Sequence, residues 1–282
     1  MTDTLSSRFL VFVLGIPGIL LAIYFGGFFF TLFITIVCIL ALREFYDLMK
    51  NKEAFPQYTI GLLSCVFISL YYHHYFPDVF TFIPIHSFFI VLIILVMTVE
   101  LFRNKDQATL NIIITLGGIL YIPLLLSSLI AIRNFHSPDD VLGMQLTFSL
   151  FISVWLCDTA AYSFGKKWGR KKIMERVSPT KTVVGTAAGA ITALITYQVF
   201  IETGFFNTTS QISALTNVDG IVLGIVVGVF GQVGDFIESL IKRDVGVKDS
   251  SGFLLGHGGV LDRFDSLLLA SPLTYLYLTH FV

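Results

Sequence analysis

The sequence predicts an all-α, polytopic membrane protein with about nine transmembrane helices and a cytoplasmic N-terminus. Three observations lead to this fold class. The chain of 282 residues is 55% hydrophobic and only 13% charged, with a mean hydropathy of +0.82, whereas a soluble domain carries about 25% charged residues. Apolar runs close to the roughly 20 residues that cross a bilayer recur along the whole chain. The positive charges are concentrated in segments between these runs.

The apolar runs are predicted to be helices, because backbone exposed to lipid must satisfy its hydrogen bonds within its own segment. They cover residues 9–25, 28–42, 58–75, 79–98, 109–132, 143–163, 182–202, 220–238 and 260–281. The first two runs are expected to form a retained hairpin, since no cleavage site with small residues separates them. Prolines and paired glycines inside the runs are compatible with kinks or close packing of membrane helices.

The placement of Lys and Arg predicts the orientation. With the N-terminus inside, seventeen of the 18 Lys and Arg residues lie in inside segments, and only Arg133 lies outside. Cytoplasmic loops are enriched in these residues, so loops 164–181 and 239–259 are predicted to be cytoplasmic. Residues 1–140 would then be N-terminal transmembrane helices, and residues 141–282 would be the helices that carry the catalytic loops.

Cysteine content and net charge identify no further feature. The three cysteines lie inside apolar runs, which indicates core residues rather than a disulfide framework or a metal site. The net charge of −1 comes from charges that are segregated along the chain, so it gives no information about partners. No nucleic-acid partner is expected.

Residues 239–265 read SLIKRDVGVKDSSGFLLGHGGVLDRFD and contain four cations and four carboxylates. Charge is costly at a membrane, so a cluster of this density is predicted to serve chemistry. The cations suit a polyphosphate, and the carboxylates suit a divalent metal. The segment therefore predicts a membrane enzyme that acts on a nucleotide and a lipid phosphate.

Charged and polar residues at the end of the run 220–238 share one helix face. At helical spacing, this face carries Asp235, Glu238, Ser239, Lys242 and Arg243. Asp235 lies deepest, among glycines, and a buried carboxylate there needs a cation, for which a bound metal is the simplest candidate. Lys242 and Arg243 could instead be ordinary inside-facing anchors, with Glu238 paired to Lys242.

Asp262 and Asp265 share one face at the start of the last run. Acidic residues in a first turn can simply complement the helix dipole. The preceding Gly258 and Gly259 would allow backbone N–H groups to approach an anion closely. His257 is either a phosphate contact or a loop former.

Loop 164–181 contains seven cations. The lysines before residue 178 fit a positive-inside anchor with affinity for anionic lipid. Residues 178–182 (SPTKT) are more specific, because they place hydroxyls and Lys181 directly before a helix N-terminus that can face a phosphate. Asp158 is a functional candidate as an intramembrane carboxylate. Glu44 and Glu100, at helix ends, are expected to be solvated or paired with nearby arginines.

These residues resemble the phosphatidate cytidylyltransferase (CDP-diacylglycerol synthase) family. The family's C-terminal pattern is matched by Ser239, Lys242, Arg243, Lys248, Asp249, His257, Gly258, Gly259, Asp262, Arg263 and Asp265. Two upstream elements of the family resemble residues 158–162 and 178–182, and the similarity covers about the last 130 residues. The resemblance implies transfer of a cytidylyl group from CTP to phosphatidate, which gives CDP-diacylglycerol and pyrophosphate.

The resemblance also implies residue roles and partners. Asp235, Asp262 and Asp265 would bind Mg²⁺, with a second cation as an open alternative. Lys242, Arg243, Lys248 and Arg263 would hold the triphosphate and the lipid phosphate, with His257 beside them and Asp249 as a ligand or as the partner of Lys248. Asp158, Ser178, Lys181, Thr182 and Ser239 would bind substrate. The enzyme would be an integral membrane protein with its active site on the cytoplasmic face, and a homodimer fits the resemblance.

Three other functions stay open at the level of sequence. A CTP-dependent lipid or polyprenol kinase would use similar cations and metal to transfer the γ-phosphoryl group. An ion-coupled transporter would use Asp158, Asp235 and Asp262 as intramembrane ligands. A scaffold without activity would fit the departures from the family pattern at Thr180, Val184 and Leu255.

Overall fold

The computed structural model describes residues 15–73, 84–135, 141–206, 215–252 and 258–282. Within these ranges the regular structure is helical, apart from one isolated antiparallel bridge between Lys172 and Thr182. We number the helices α1 (Gly15–Phe25), α2 (Gly27–Met49), α3 (Tyr58–His73), α4 (Ile85–Arg103), α5 (Ala108–Arg133), α6 (Val141–Trp168), α7 (Val183–Glu202), α8 (Asn217–Asp244) and α9 (Leu261–Phe281). The predicted all-α class is confirmed, and every predicted apolar run overlaps one of these helices.

Six of the described helices are long and apolar enough to cross a membrane, judged by length and composition: α2, α4, α5, α6, α7 and α8. Helices α1 and α3 are apolar but shorter. Helix α9 spans 21 residues and begins with charged residues in its first two turns. The chain is therefore a polytopic membrane protein, while the number of crossings and the side of the N-terminus stay predictions.

Two helices are interrupted where their backbone pattern changes. Helix α5 consists of Ala108–Tyr121, Pro123–Leu126 and Ser128–Arg133, because Pro123 cannot continue the α-helical hydrogen bonds. Helix α8 contains a π-helical turn, Val226–Gly231, which holds extra residues and changes the direction that the following side chains face. Gln232 closes this turn by donating to the carbonyl oxygens of Gly228 (2.6 Å) and Thr186 (3.0 Å).

Glycines allow α6, α7 and α8 to pack closely. A Cβ atom at Gly189 of α7 would lie 2.9 Å from the Cys157 carbonyl oxygen of α6. A Cβ at Gly224 of α8 would lie 2.7 Å from the Leu194 Cα of α7. Membrane helices associate through small residues that bring their backbones together. This packing places the start of α7 beside the second half of α8.

Helix α2 lies in the core of the N-terminal part. Its Tyr46 is fully buried, and the hydroxyl donates to the Thr115 carbonyl oxygen of α5 (2.8 Å). Gly118 of α5 and Gly61 of α3 both pack directly on the Tyr46 ring, which leaves no space for a larger side chain. The three cysteines are free and buried, as predicted.

Helix α2 also packs against α9, across the predicted division at residue 140. After α2 ends, Lys52 forms an ion pair with Asp244 (3.1 Å), and Asn51 donates to the Val245 carbonyl oxygen (3.5 Å). The division into residues 1–140 and 141–282 stays a prediction, and the N-terminal helices contribute directly to the surroundings of the charged loop after α8.

Candidate active site

Lys242 of α8 links two buried carboxylates. Its ammonium forms ion pairs with Glu238, one turn earlier on α8, and with Asp262 in the first turn of α9. The exposed fraction is 8% for Lys242 and 1% for Glu238, so both charges lie inside the protein. The pairing of Glu238 with Lys242, which the sequence left open as an alternative to a catalytic role, is therefore present, and Lys242 also connects α8 to α9 through Asp262.

The second oxygen of Asp262 holds the loop between α8 and α9. It accepts hydrogen bonds from the Ser250 amide (3.0 Å), the Ser250 hydroxyl (2.8 Å) and the Gly259 amide (2.6 Å). Gly258 has a φ of +76°, a conformation that suits glycine, and a Cβ there would meet the Asp262 carboxylate. Asp262 is thus held in place by both ends of this loop and by Lys242.

A second charged cluster lies between α6, the start of α7, α8 and α9. Lys181 forms an ion pair with Asp235, and its ammonium lies 4.4 Å from the centre of the Phe236 ring. Asp158 and Asp265 interact electrostatically with Asp235 and with Lys181. Lys181 therefore pairs with Asp235 in this structure, and the metal predicted to bind Asp235 stays a prediction.

Close helix packing brings these carboxylates together. The Gly234 Cα of α8 approaches the Asp265 carbonyl oxygen of α9 so closely that a Cβ would overlap it. The Ser266 amide donates to the Asp265 carboxylate (2.7 Å), and the Ser239 hydroxyl donates to Asp235 (3.4 Å). These contacts orient both carboxylates.

The segment before α7 positions Lys181. Thr182 is the N-cap of α7, since its hydroxyl accepts from the Gly185 amide (3.2 Å). Backbone hydrogen bonds from Val183 to the Lys171 carbonyl oxygen (2.9 Å) and from Ile173 to the Lys181 carbonyl oxygen (3.3 Å) fold the loop back on itself. Ser178 is buried within this fold. The loop therefore has a defined conformation that directs Lys181 toward α8.

The remaining predicted site residues have different surroundings. The Arg243 guanidinium donates to the carbonyl oxygens of Val177 (3.3 Å) and Val247 (2.9 Å). It therefore links segments 164–181 and 239–259, the two loops that are predicted to be cytoplasmic. Lys248, Asp249 and Arg263 are exposed. His257 and Leu255 lie outside the described residues, and their predicted roles stay predictions.

Glu44 of α2 was missed as a site residue, and the expectation that it would be solvated or paired with Arg43 is wrong. Glu44 is 7% exposed and accepts four hydrogen bonds from the 250–261 loop. Arg43 lies instead 3.9 Å from Asp47. Because α2 extends to Met49, Glu44 belongs to a membrane helix. An intramembrane carboxylate is a functional candidate, and this rule would have identified Glu44 if the helix end had been placed correctly. The other expected pair, Glu100 with Arg103, is present at 2.8 Å.

A cavity of about 580 Å³ opens beside the carboxylates. Its walls are mostly apolar side chains of α1, α2, α6 and α9. Its polar lining comprises Asp158, Thr159, Asp262, Arg263, Asp265 and Ser266. The cavity can therefore accommodate the apolar body of a ligand, and its charged lining consists of three carboxylates and one cation, Arg263.

The predicted metal ligands fall into two groups. Asp235 and Asp265 belong to the cluster around Lys181, and Asp262 belongs to the cluster around Lys242. Among the described residues, no group of three or more His, Cys, Asp or Glu side chains is arranged to hold a metal ion.

Comparison with known proteins gives the family. The model of the cytidylyltransferase family matches residues 6–281, which is nearly the whole chain. The chain belongs to the cytidylyltransferase family. Within this family, a protein of Bacillus subtilis (strain 168) named phosphatidate cytidylyltransferase is 34% identical over 98% of both chains. A protein of the same name from Chlamydia pneumoniae is 31% identical over 87% of this chain and 81% of its own.

A third relative matches about half of the chain. A phosphatidate cytidylyltransferase of Haemophilus influenzae is 41% identical over 144 residues, which is 50% of this chain and 49% of its own. The match over nearly the full length to the Bacillus subtilis protein shows that the resemblance is not confined to the C-terminal pattern.

Proposed function

We propose that this protein is a phosphatidate cytidylyltransferase, which converts CTP and phosphatidate to CDP-diacylglycerol and pyrophosphate. One structural observation carries the proposal in a chain of this family. The apolar cavity between α1, α2, α6 and α9 ends at Asp158, Asp262, Arg263 and Asp265. A membrane lipid with a phosphate head group has the same distribution of apolar and charged parts.

The chemistry requires positioning and charge neutralisation rather than a general base. The phosphate monoester of phosphatidate carries nearly two negative charges at neutral pH and is already a nucleophile. Its oxygen attacks the α-phosphorus of CTP, and the bond to the bridging oxygen of the β-phosphate breaks, so that pyrophosphate leaves with the electron pair. The difficulty lies in bringing two anions together and stabilising the leaving group.

Lysines and arginines at the polar end suit this task. Lys181 and Lys242 are held by carboxylates in this structure, and Arg263 lines the cavity. In the proposal, Lys242, Arg263, Arg243 and Lys248 neutralise the triphosphate and the lipid phosphate. Ser178, Lys181 and Thr182 bind the nucleotide near the N-terminus of α7, where free amides favour an anion.

The donor chemistry fits a divalent cation. Asp158, Asp235 and Asp265 interact with one another and share one lysine, which leaves an excess of negative charge. Carboxylate oxygens are the ligands that Mg²⁺ takes from proteins. We assign Asp235, Asp262 and Asp265 to Mg²⁺ at two cation sites: Asp235 and Asp265 would share one, and Asp262, in the separate cluster around Lys242, would belong to the second. When bound, Mg²⁺ would neutralise phosphate charge and orient the CTP.

The proposed active site faces the cytoplasm. The distribution of Lys and Arg supports this placement, because the loops around Lys181 and Lys248 belong to the cation-rich side. CTP would arrive from water, and phosphatidate from the adjacent leaflet. A homodimer is included in the proposal on family resemblance and is tested by the mass of the protein in detergent.

Product analysis tests the activity. Purified protein in detergent is incubated with phosphatidate, Mg²⁺ and CTP labelled either in the cytidine or in the γ-phosphate, with and without a chelator. Cytidine label in the lipid phase that depends on Mg²⁺ is the expected result. Lipid labelled only from the γ-phosphate would replace this proposal with a lipid kinase. Absence of both labels would contradict either enzyme activity.

A further inference from the structure

Glu44 connects α2 to the residues directly before Asp262 and to Ser250 and Ser251. Its Oε1 accepts from the Ser251 hydroxyl (2.6 Å) and the Val260 amide (3.0 Å). Its Oε2 accepts from the Leu261 amide (2.8 Å) and shares with Asp262 the single proton of the Ser250 hydroxyl, which lies 3.1 Å from Oε2. Each oxygen thus contacts both ends of the loop, and one carboxylate closes its base.

The Glu44 carboxylate lies at a buried junction with little space. Gly259 approaches it so closely that a Cβ would meet both the carboxylate and the Ser250 hydroxyl. Asp262 contacts the same base from the other side, through Ser250 and Gly259. The two carboxylates therefore hold the loop between them, and Asp262 in turn pairs with Lys242.

We infer that Glu44 is a positioning residue for the cytidylyltransferase reaction, which fixes the base of the 250–261 loop and thereby the location of Asp262 and Lys242. This inference rests on the proposed function for its kinetic part. Glu44 acts through the loop rather than on the substrate. It belongs to α2, which precedes the C-terminal family pattern that begins at Ser239.

The substitution Glu44→Gln tests this role with nearly unchanged volume. All four groups around Glu44 can donate, and a carboxylate is an acceptor only. In glutamine, one oxygen is replaced by a donor NH₂ group. A serine hydroxyl can rotate to accept from that group, but a backbone amide cannot. Either Val260 or Leu261 therefore loses its acceptor, and a buried donor is left without a partner.

Glu100 provides a matched control. It is also a buried carboxylate, 5% exposed, and it accepts from Gln57 (2.8 Å), Asn111 (2.6 Å) and Arg103 (2.8 Å). These partners lie in α4, in α5 and directly before α3, and none contacts residues 250–261 through Glu100. Glu100→Gln removes comparable hydrogen bonding without touching the loop.

Two measurements on the full-length protein in detergent decide the inference. In Glu44→Gln, hydrogen exchange in peptides covering residues 258–264 should become faster, and kcat for cytidylyl transfer should fall about tenfold, as expected for a lost buried hydrogen bond. In Glu100→Gln, both should equal the wild type even if the melting temperature falls. Wild-type exchange and kcat in Glu44→Gln, or equal effects of both substitutions on the loop, would overturn the inference.

A second variant covers the case in which Glu44→Gln does not fold. Glu44→Asp keeps both oxygens and the charge but retracts them by one methylene, so it cannot reach both ends of the loop. Faster exchange at residues 258–264 supports the inference, and wild-type exchange refutes it. Absence of transfer by the wild-type protein would refute the proposed function alone, because the exchange comparison requires no turnover.

Discussion

Lys181 and Asp235 form an ion pair that joins the start of α7 to the second half of α8. Asp158 and Asp265 lie near enough to this pair for their charges to interact with it. The lysine lies directly before Thr182, which caps α7. The charge balance of this cluster therefore depends on the conformation of the loop before α7.

Lys181→Met should lower the initial rate of cytidylyl transfer by roughly 100-fold or more, as expected when a group that stabilises the transition state is removed. The substitution leaves three carboxylates without their lysine and removes a ligand for the nucleotide. Lys172→Met is the control, because Lys172 is exposed in the same loop. Equal rates in the two variants would contradict the role of Lys181.

Asp262→Asn should reduce turnover by roughly 100-fold or more, because the carboxylate charge opposite Lys242 is lost. Folding should be largely retained, since an amide oxygen can still accept from the loop. Asp219→Asn is the control: Asp219 accepts from Tyr277 (2.6 Å) and caps α8 at its first turn, away from the cavity. The initial rates of both purified variants test the role of Asp262. A wild-type rate in Asp262→Asn would refute the metal and charge assignment.

Gly234→Ala should lower both activity and stability, because its Cβ would overlap the Asp265 carbonyl oxygen and separate α8 from α9. Overpacking of this kind costs about 1–3 kcal/mol. Gly231→Ala is the matched substitution one turn earlier, where the Cβ would lie 3.8 Å from the Ser266 carbonyl oxygen, an ordinary contact. Thermal unfolding and initial rates measure both effects. A Gly234→Ala protein as active and as stable as Gly231→Ala would show that this approach is not required.

Gly26→Ala should destabilise the protein without changing the rate of the folded fraction. Gly26 has a φ of +61°, and its Cβ would overlap the guanidinium of Arg133. With a ψ of −154°, this backbone conformation is essentially restricted to glycine and costs another residue about 1–3 kcal/mol. Arg133 is 4% exposed and donates to the Ile23 carbonyl oxygen (2.7 Å), so displacing it also disturbs the end of α1.

Gly117→Ala is the control for Gly26→Ala, because no atom lies within 4 Å of its Cβ position. Alanine in a helix interior is favoured over glycine by about 0.5–1 kcal/mol, so this variant should melt at or above the wild-type temperature. The measurement is thermal unfolding in detergent, followed by the initial rate at a temperature where all variants are folded. A lower rate in folded Gly26→Ala would show that this end of α2 influences the site.

The helices and one helix face were predictable because they depend on local patterns. Apolar length predicts a membrane helix, and helical spacing predicts that Glu238 and Lys242 share one face, with their pairing as an open alternative. Both are confirmed by the structure. The error at Glu44 arose from the end of a hydrophobic run: the run was placed at residue 42, whereas the helix continues to Met49.

The sequence by itself determined the all-α membrane fold, the family pattern and the residue types at the candidate site, because hydropathy and helical spacing are properties of neighbouring residues. Only the tertiary structure decided which charges meet. It separated Asp262, paired with Lys242, from Asp235, paired with Lys181. It also brought Glu44 to Leu261, which is 217 positions away in the chain. A buried carboxylate requires donors but does not specify where in the chain they originate, so these contacts follow from helix packing alone.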